Sequence, residues 1–221
     1  MIYYIANSIY QFAYALPVYQ SIGGTFVVTS HKKMNHFIRF LKEAERLNSP
    51  MFLSKPTVVL IPRDQLHTLE GVLVFFSNSI DPKDDYSRSI TCFHEHGTSD
   101  KKYEGGDSIA LEKLNKYDYL LLSGPKNKER LIDIGIHREK DCLKEIGCLR
   151  FDDYINGKFS KEESAQVLNI KDRTRKNILY APTWKFGNGT FKKYASSFID
   201  SLTSEYNLIL RPHYHDRRYG H

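Results

Sequence analysis

Residues 93–103, Phe-His-Glu-His-Gly-Thr-Ser-Asp-Lys-Lys-Tyr, place two imidazoles, a glycine and two lysines in one short stretch directly after an apolar run. In a parallel α/β sheet, ligands bind outside the carboxyl ends of the strands. A histidine at such an end titrates near neutrality and can act as a general base. Gly97 permits a tight turn or a close approach by substrate, and Lys101 and Lys102 supply positive charge for phosphate. His94 and His96 are spaced i, i+2, which in a strand puts both on one face and would suit a metal. Glu95 then points the other way and no third ligand is evident, so no metal is expected. The competing reading is a surface loop that carries two histidines.

Two later segments share this character. Asn177-Ile-Leu-Tyr-Ala-Pro-Thr-Trp-Lys185 reads as a strand that breaks at Ala-Pro into a turn bearing Thr183 and Lys185, with Gly187 and Gly189 just beyond. That is a plausible mouth for an anion, although Trp184 as a core aromatic and Pro182 as a strand terminator account for it equally well. Leu210-Arg-Pro-His-Tyr-His-Asp-Arg-Arg218 puts Arg211 and His213 at another strand end. Arginine binds phosphate bidentately through strong charge-assisted bonds, so this pair would suit a diphosphate. Arg217, Arg218 and His221 read as a basic tail.

The elements that must position these groups follow from hydrophobic periodicity. Strands are expected at Ile2–Ala6, Thr25–Thr29, Pro56–Ile61, Val72–Phe76, Ser89–Phe93 and Tyr117–Leu122. Helices are expected over Ser8–Ile22, Asn35–Leu47 (Phe37, Phe40, Leu41 and Ala44 on one face), Ser108–Asn115 and Lys126–Ile134, the last opened by Gly124-Pro125. Such alternation implies a parallel sheet with helices on both faces. Residues 149–157 look irregular, Ser160–Leu168 looks like a short capped helix, and the charge run Lys171-Asp-Arg-Thr-Arg-Lys176 looks like a solvated linker. The pattern then restarts with strand Ile178–Ala181, helix Tyr194–Thr203 and strand Leu208–Leu210. The expected organisation is therefore a Rossmann-like domain over 1–170, a linker over 171–177 and the incomplete start of a second such domain over 178–221.

Of the 221 residues, 41% are hydrophobic and 26% charged, with 15 Tyr and 13 Phe, the balance of a globular protein with a real core. No stretch approaches the ~20 apolar residues that span a bilayer. The N-terminus reads as a strand and not as a signal peptide, so a cytoplasmic location is expected. Cys92, Cys142 and Cys148 have neither disulfide-framework nor zinc-like spacing. A net charge of +6 points weakly to acidic substrates or an anionic membrane surface. The first strand is not followed by GxGxxG, and no GxxxxGK[ST] is present, which disfavours nicotinamide, flavin and P-loop chemistry. The basic residues are dispersed and carry no RRM, KH or helix-turn-helix signature, so no nucleic-acid partner is expected.

The order and spacing of the segments carry a resemblance that none has alone. His96-Gly-Thr98 followed by Lys101 looks like the HGxxxK motif of the CDP-glycerol glycerophosphotransferases of cell-wall polymer synthesis. Gly147-Cys-Leu-Arg-Phe-Asp152 is similar to that family's Gly-x-(Pro)-Arg-x-Asp turn between domains. Ile178-Leu-Tyr-Ala-Pro-Thr-Trp-Lys185 closely resembles its LYAPTWR strand, and Arg211-Pro-His213 its later (K/R)-x-H(P) element. Glu95 stands where an aromatic is usual, and Tyr214 where a proline follows the histidine. The family's later Asp-x-Ser-Ser element is not found.

The resemblance implies a glycosyltransferase-B architecture, two Rossmann-like domains facing across a cleft. It implies transfer of glycerol-phosphate, or a similar polyol-phosphate, from a CDP-activated donor to a hydroxyl in teichoic-acid-like polymer synthesis. The implied acceptor is a lipid-linked glycan or a polyol-phosphate chain at the inner leaflet, reached by peripheral contact with an anionic membrane. His96 would be the base. His213 and Arg211, with Thr183 and Lys185, would meet the diphosphate, and Gly97, Thr98 and Lys101 would contact substrate from the N-terminal side. No cofactor is implied. Two other readings stay open: a nucleotide-sugar glycosyltransferase of the same architecture, and a non-catalytic binding or scaffold module.

Overall fold

The computed structural model describes residues 1–46, 55–94, 108–136, 140–183, 189–213 and 216. The chain divides into two compact units, Met1–Asn156 and Gly157–His221.

The first unit is built on β1 (Ile2–Ile5), α1 (Ile9–Ile22), β2 (Thr25–Val28), α2 (His31–Arg46), β3 (Val58–Leu60), β4 (Gly71–Phe75), β5 (Ser89–His94), α3 (Ser108–Lys116), β6 (Tyr119–Leu122), α4 (Pro125–Asp133), β7 (Leu143–Glu145) and α5 (Asp152–Ile155). Its seven strands form one sheet in the order β3-β2-β1-β4-β5-β6-β7, with every neighbouring pair parallel. Strand order therefore reverses between β1 and β4. Short 3-10 turns at Arg63–Thr68, Lys140–Cys142 and Leu149–Phe151 complete the unit.

A sheet covered on both faces needs apolar residues at successive positions, because alternate side chains enter different cores. That is what β1 and β4 do. Tyr4, Ala6, Val74 and Phe76 enter the core beneath α1 and α2, while Ile5, Leu73 and Phe75 enter the opposite core with Leu66, Leu114, Tyr117 and Leu131. The first core is aromatic at its centre. The Phe12 ring lies 4.4 Å from that of Phe26, 5.1 Å from Phe37 and 5.8 Å from Phe40.

Gly71 opens β4 at φ +130, and a Cβ there would lie 2.3 Å from the carbonyl oxygen of Met1, so only glycine lets β4 begin beside the chain start. Gly124 and Pro125 open α4 as expected, with proline at the position whose N–H has no intrahelical acceptor.

Several local expectations differ from the structure, and the helix expected over Tyr194–Thr203 begins a turn early, at Phe191. Helix α2 begins at His31, a turn earlier than the apolar face suggests, since His31 and Lys32 are polar and exposed. Residues 149–155 are helical, as a 3-10 turn followed by α5, although Phe151, Tyr154 and Ile155 are all exposed and leave no periodic buried face. Strand β7 (Leu-Lys-Glu) was not anticipated. It is an edge strand that buries only Leu143, so it lacks an apolar run.

The second unit contains α6 (Lys161–Val167), β8 (Asn177–Tyr180), α7 (Phe191–Leu202) and β9 (Asn207–Leu210). Ser160 caps α6 through a reciprocal box. Its Oγ accepts from the Glu163 amide (3.0 Å), and Glu163 Oε2 accepts from the Ser160 amide (3.1 Å). Strands β8 and β9 pair in parallel from Asn177↔Asn207 to Tyr180↔Leu210. Tyr180 holds α7 over them, packing edge-on to Phe198 at 4.7 Å and bonding Thr190 Oγ1 at 2.7 Å. The charge run before β8 is tied down as well as solvated: Asn207 Nδ2 donates to the Asp172 carbonyl (2.6 Å), and Arg175 pairs with Asp172 (3.0 Å).

Candidate functional site

In each unit the candidate residues follow the carboxyl ends of parallel strands. In the second, β8 runs into Ala181-Pro-Thr183 and β9 into Arg211-Pro-His213, and the two strands end side by side at the Tyr180↔Leu210 pair. The Arg211 amide donates to the Tyr180 carbonyl (3.0 Å), which carries the pairing one residue past β9. Thr183 and Arg211 are exposed and His213 is half-buried. Residues 30 positions apart in sequence thus share one end of one small sheet, an arrangement that suits an anion approaching from solvent. Lys185 lies outside the described residues.

In the first unit β5 ends at His94, which is buried between aromatic rings. Its imidazole centroid lies 5.0 Å from Phe76 and 6.1 Å from Tyr14. His96, Gly97, Thr98 and Lys101 come next in the sequence and lie outside the described residues. Among the described residues, no cluster of three or more His, Cys, Asp or Glu side chains is placed to hold a metal. Cys92, two residues before His94 on the same face of β5, is buried, and burial pushes its thiol up to about 11, which leaves it unreactive near neutrality.

The loops around the reversal of strand order are held by side chains. Asn7, just past β1, accepts from the Thr29 amide (3.0 Å) and hydroxyl (2.9 Å) just past β2, and its own amide donates to the buried Gln11 (2.7 Å). Past β4, the amides of Ser79 and Ile80 donate to the Tyr117 hydroxyl (3.2 and 3.1 Å), which donates to the Ser77 carbonyl (3.3 Å). Burial is the main reason that the Tyr117 phenol is pushed far above its ordinary range, so it stays protonated and keeps this role. Tyr117→Phe should cost about 1–3 kcal/mol of stability, because the buried Ile80 amide loses its acceptor and the Ser79 amide keeps only the Ser77 carbonyl. Chemical denaturation of the chain measures it.

A doubly wound parallel sheet followed by a second strand–helix–strand unit, with His, Lys and Arg segments past the strand ends, defines an α/β protein of glycosyltransferase-B type. Comparison with known proteins narrows this. The family model for CDP-glycerol:poly(glycerophosphate) glycerophosphotransferase matches residues 91–219, more than half of the sequence, and the chain belongs to that family. The solved structure of the wall teichoic acid polymerase TagF is similar to 98% of the chain at 15% identity and a TM-score of 0.62. A variant of that polymerase soaked with CDPG is similar over 98% at 16% identity and a TM-score of 0.60. The chain spans only 56% of either neighbour's length. At these identities the likeness is one of fold. No curated protein sequence matches the chain significantly.

Proposed function

We propose that this chain takes part in moving glycerol-phosphate, or a similar polyol-phosphate, from a CDP-activated donor to a hydroxyl acceptor in cell-wall polymer synthesis. The observation that carries the reading is the family match over residues 91–219, which takes in all three of the segments whose residues suit the chemistry. The CDPG-soaked polymerase of similar fold supports a CDP-glycerol donor.

In this reading the first unit forms the acceptor side and the unit that carries β8 and β9 contributes to the donor side. His96, in the segment after β5, takes the proton of the acceptor hydroxyl as its oxygen attacks the donor's β-phosphorus. The bond from that phosphorus to the oxygen bridging the two phosphates breaks, and CMP leaves with the electron pair. Arg211 and His213, at the carboxyl end of β9, stabilise the charge that builds on the diphosphate, and Thr183 and Lys185 after β8 assist. Gly97, Thr98 and Lys101 contact substrate beside His96. The acceptor is a lipid-linked glycan or a growing polyol-phosphate chain, met at the inner face of the membrane. Among the described residues, no helix is long and apolar enough to cross that membrane.

Isothermal titration of the folded chain with CDP-glycerol, with CMP and UDP as controls, tests the donor. Binding of CDP-glycerol and CMP at least tenfold tighter than UDP is the expected result. Preference for UDP would replace the reading with a nucleotide-sugar transferase, and no nucleotide binding would remove the donor site from this chain.

A further inference from the structure

We propose that Lys33 and Arg63 form a phosphate-binding site at the carboxyl ends of β1–β4, and that the phosphate it takes is that of a polyol-phosphate acceptor. The location of the site stands on the geometry alone, whereas naming the acceptor as its ligand rests on the transfer reading above.

Both cations are held by neutral groups. Lys33 lies in the first turn of α2 and is half-buried, and its Nζ donates to Thr29 Oγ1 at 3.0 Å. Thr29 is itself fixed to Asn7, so the ammonium is anchored above the ends of β2 and β1. Arg63 opens the 3-10 turn that follows β3, and its Nη2 donates to the Ser79 carbonyl past β4 at 2.8 Å. Tyr117 in turn holds the Ser79 amide from below. Four strand ends thus converge on two positive groups beside the point where strand order reverses, the position at which open α/β sheets take their ligands.

Among the described residues, no carboxylate pairs with either cation: the ion pairs there engage other groups, and no carboxylate lies within 4 Å of Lys33 or Arg63. Burial, and then the neighbouring Arg63 charge, hold Lys33 below the ordinary lysine range. Two cations held at one end of one sheet make that end favourable for an anion. Each side chain has donors to spare: an ammonium has three and a guanidinium five, and one of each is used. Phosphate oxygens match that supply, with the guanidinium reading two of them at once. Ser8 adds a neutral donor on the same rim. It occupies the N-cap of α1 without capping it, and its hydroxyl is buried with no hydrogen-bond partner among the described residues.

An acceptor phosphate fits this site better than a donor phosphate does. The donor contacts are assigned to the ends of β8 and β9, whereas this pair shares a sheet with β5, the strand that leads to His96. A polyol-phosphate acceptor carries its phosphate a few bonds from the hydroxyl to be activated, so base and anchor belong on one sheet.

Titration of the full chain with glycerol 3-phosphate tests the site, alongside flotation with phosphatidylglycerol vesicles. Lys33→Met should weaken glycerol 3-phosphate binding at least tenfold and Arg63→Gln several-fold, while Lys32→Met, an exposed neighbour on the same helix, leaves it unchanged. Loss of vesicle binding in the same two variants would place the phosphate on a membrane-borne acceptor, and retention would place it on a soluble one. Absence of glycerol 3-phosphate binding to the wild type overturns the proposal, as does an equal loss in Lys32→Met, which would mean diffuse charge. CDP-glycerol should bind Lys33→Met as it binds the wild type. If CDP-glycerol binds no version while glycerol 3-phosphate still distinguishes Lys33 from Lys32, the donor reading falls and this site stands.

Discussion

His96→Ala should lower the rate of CMP release from CDP-glycerol by about 10²–10⁴-fold while leaving CDP-glycerol affinity within about twofold. The size follows from the role. An alcohol is a poor nucleophile until its proton is removed, and a positioned base contributes through the transition state and not through ground-state binding. The split between the two measurements therefore carries the argument. A fall in rate with unchanged affinity identifies a base, whereas parallel losses of both would make His96 a binding residue. The rate–pH profile adds an independent reading, since the fall in wild-type rate on acidification should disappear with the imidazole. Turnover near the wild-type level would end the assignment. His94 offers no ready substitute. It is the last residue of β5, 4% exposed, and packed against Phe76 and Tyr14, which suits a core histidine better than a group meeting substrate.

Phe12→Ala should destabilise the first unit by about 3–5 kcal/mol, measured as a lowered denaturation midpoint at unchanged m-value. Phe12 is fully buried in α1 and forms the centre of the aromatic core that joins that helix to β2 and α2. Burying a phenyl ring contributes about 1.5–3 kcal/mol, its edge contacts about 0.5–1.5 kcal/mol more, and the cavity left by alanine adds to the loss. Stability against unfolding is about 5–15 kcal/mol for a typical domain, so a change of this size is severe. Phe12→Leu, which keeps most of the volume, should cost much less. Equal losses in the two variants would show that aromatic packing, and not cavity formation, dominates at this position. The functional consequence is indirect. Ser8 stands at the N-cap of α1 and Lys33 lies in α2, so a loosened core should blur the proposed phosphate site before it unfolds the chain.

Much of the fold was legible because its strands are buried on both faces. Ile2–Ile5, Thr25–Val28 and Gly71–Phe75 read as apolar runs, since each successive side chain has a core to enter, and α2 shows one apolar face. The capping box at Ser160 and the Gly-Pro start of α4 were equally plain, being contacts between residues within one turn. The elements that escaped notice bury too little. Strand β7 hides only Leu143 and the 3-10 turn over Arg63–Thr68 only Leu66, so neither leaves a period to read.

What the sequence determined by itself was therefore whatever is contiguous: the type of each long element, and the three short segments around His96, Thr183 and Arg211 whose residue types suit phosphate chemistry. Sequence neighbours stay neighbours however the chain folds. Strand order, by contrast, is decided by which faces and edges pair in three dimensions, and nothing local requires β1 to lie between β2 and β4. That order alone brings Asn7, Thr29, Lys33, Arg63 and Ser79 to one end of one sheet. In sequence they are single polar residues in four separate loops and first turns. Only the tertiary structure, by tying Lys33 to Thr29 and Arg63 to Ser79 at one end of the sheet, gathers those scattered residues into the proposed place for an anion.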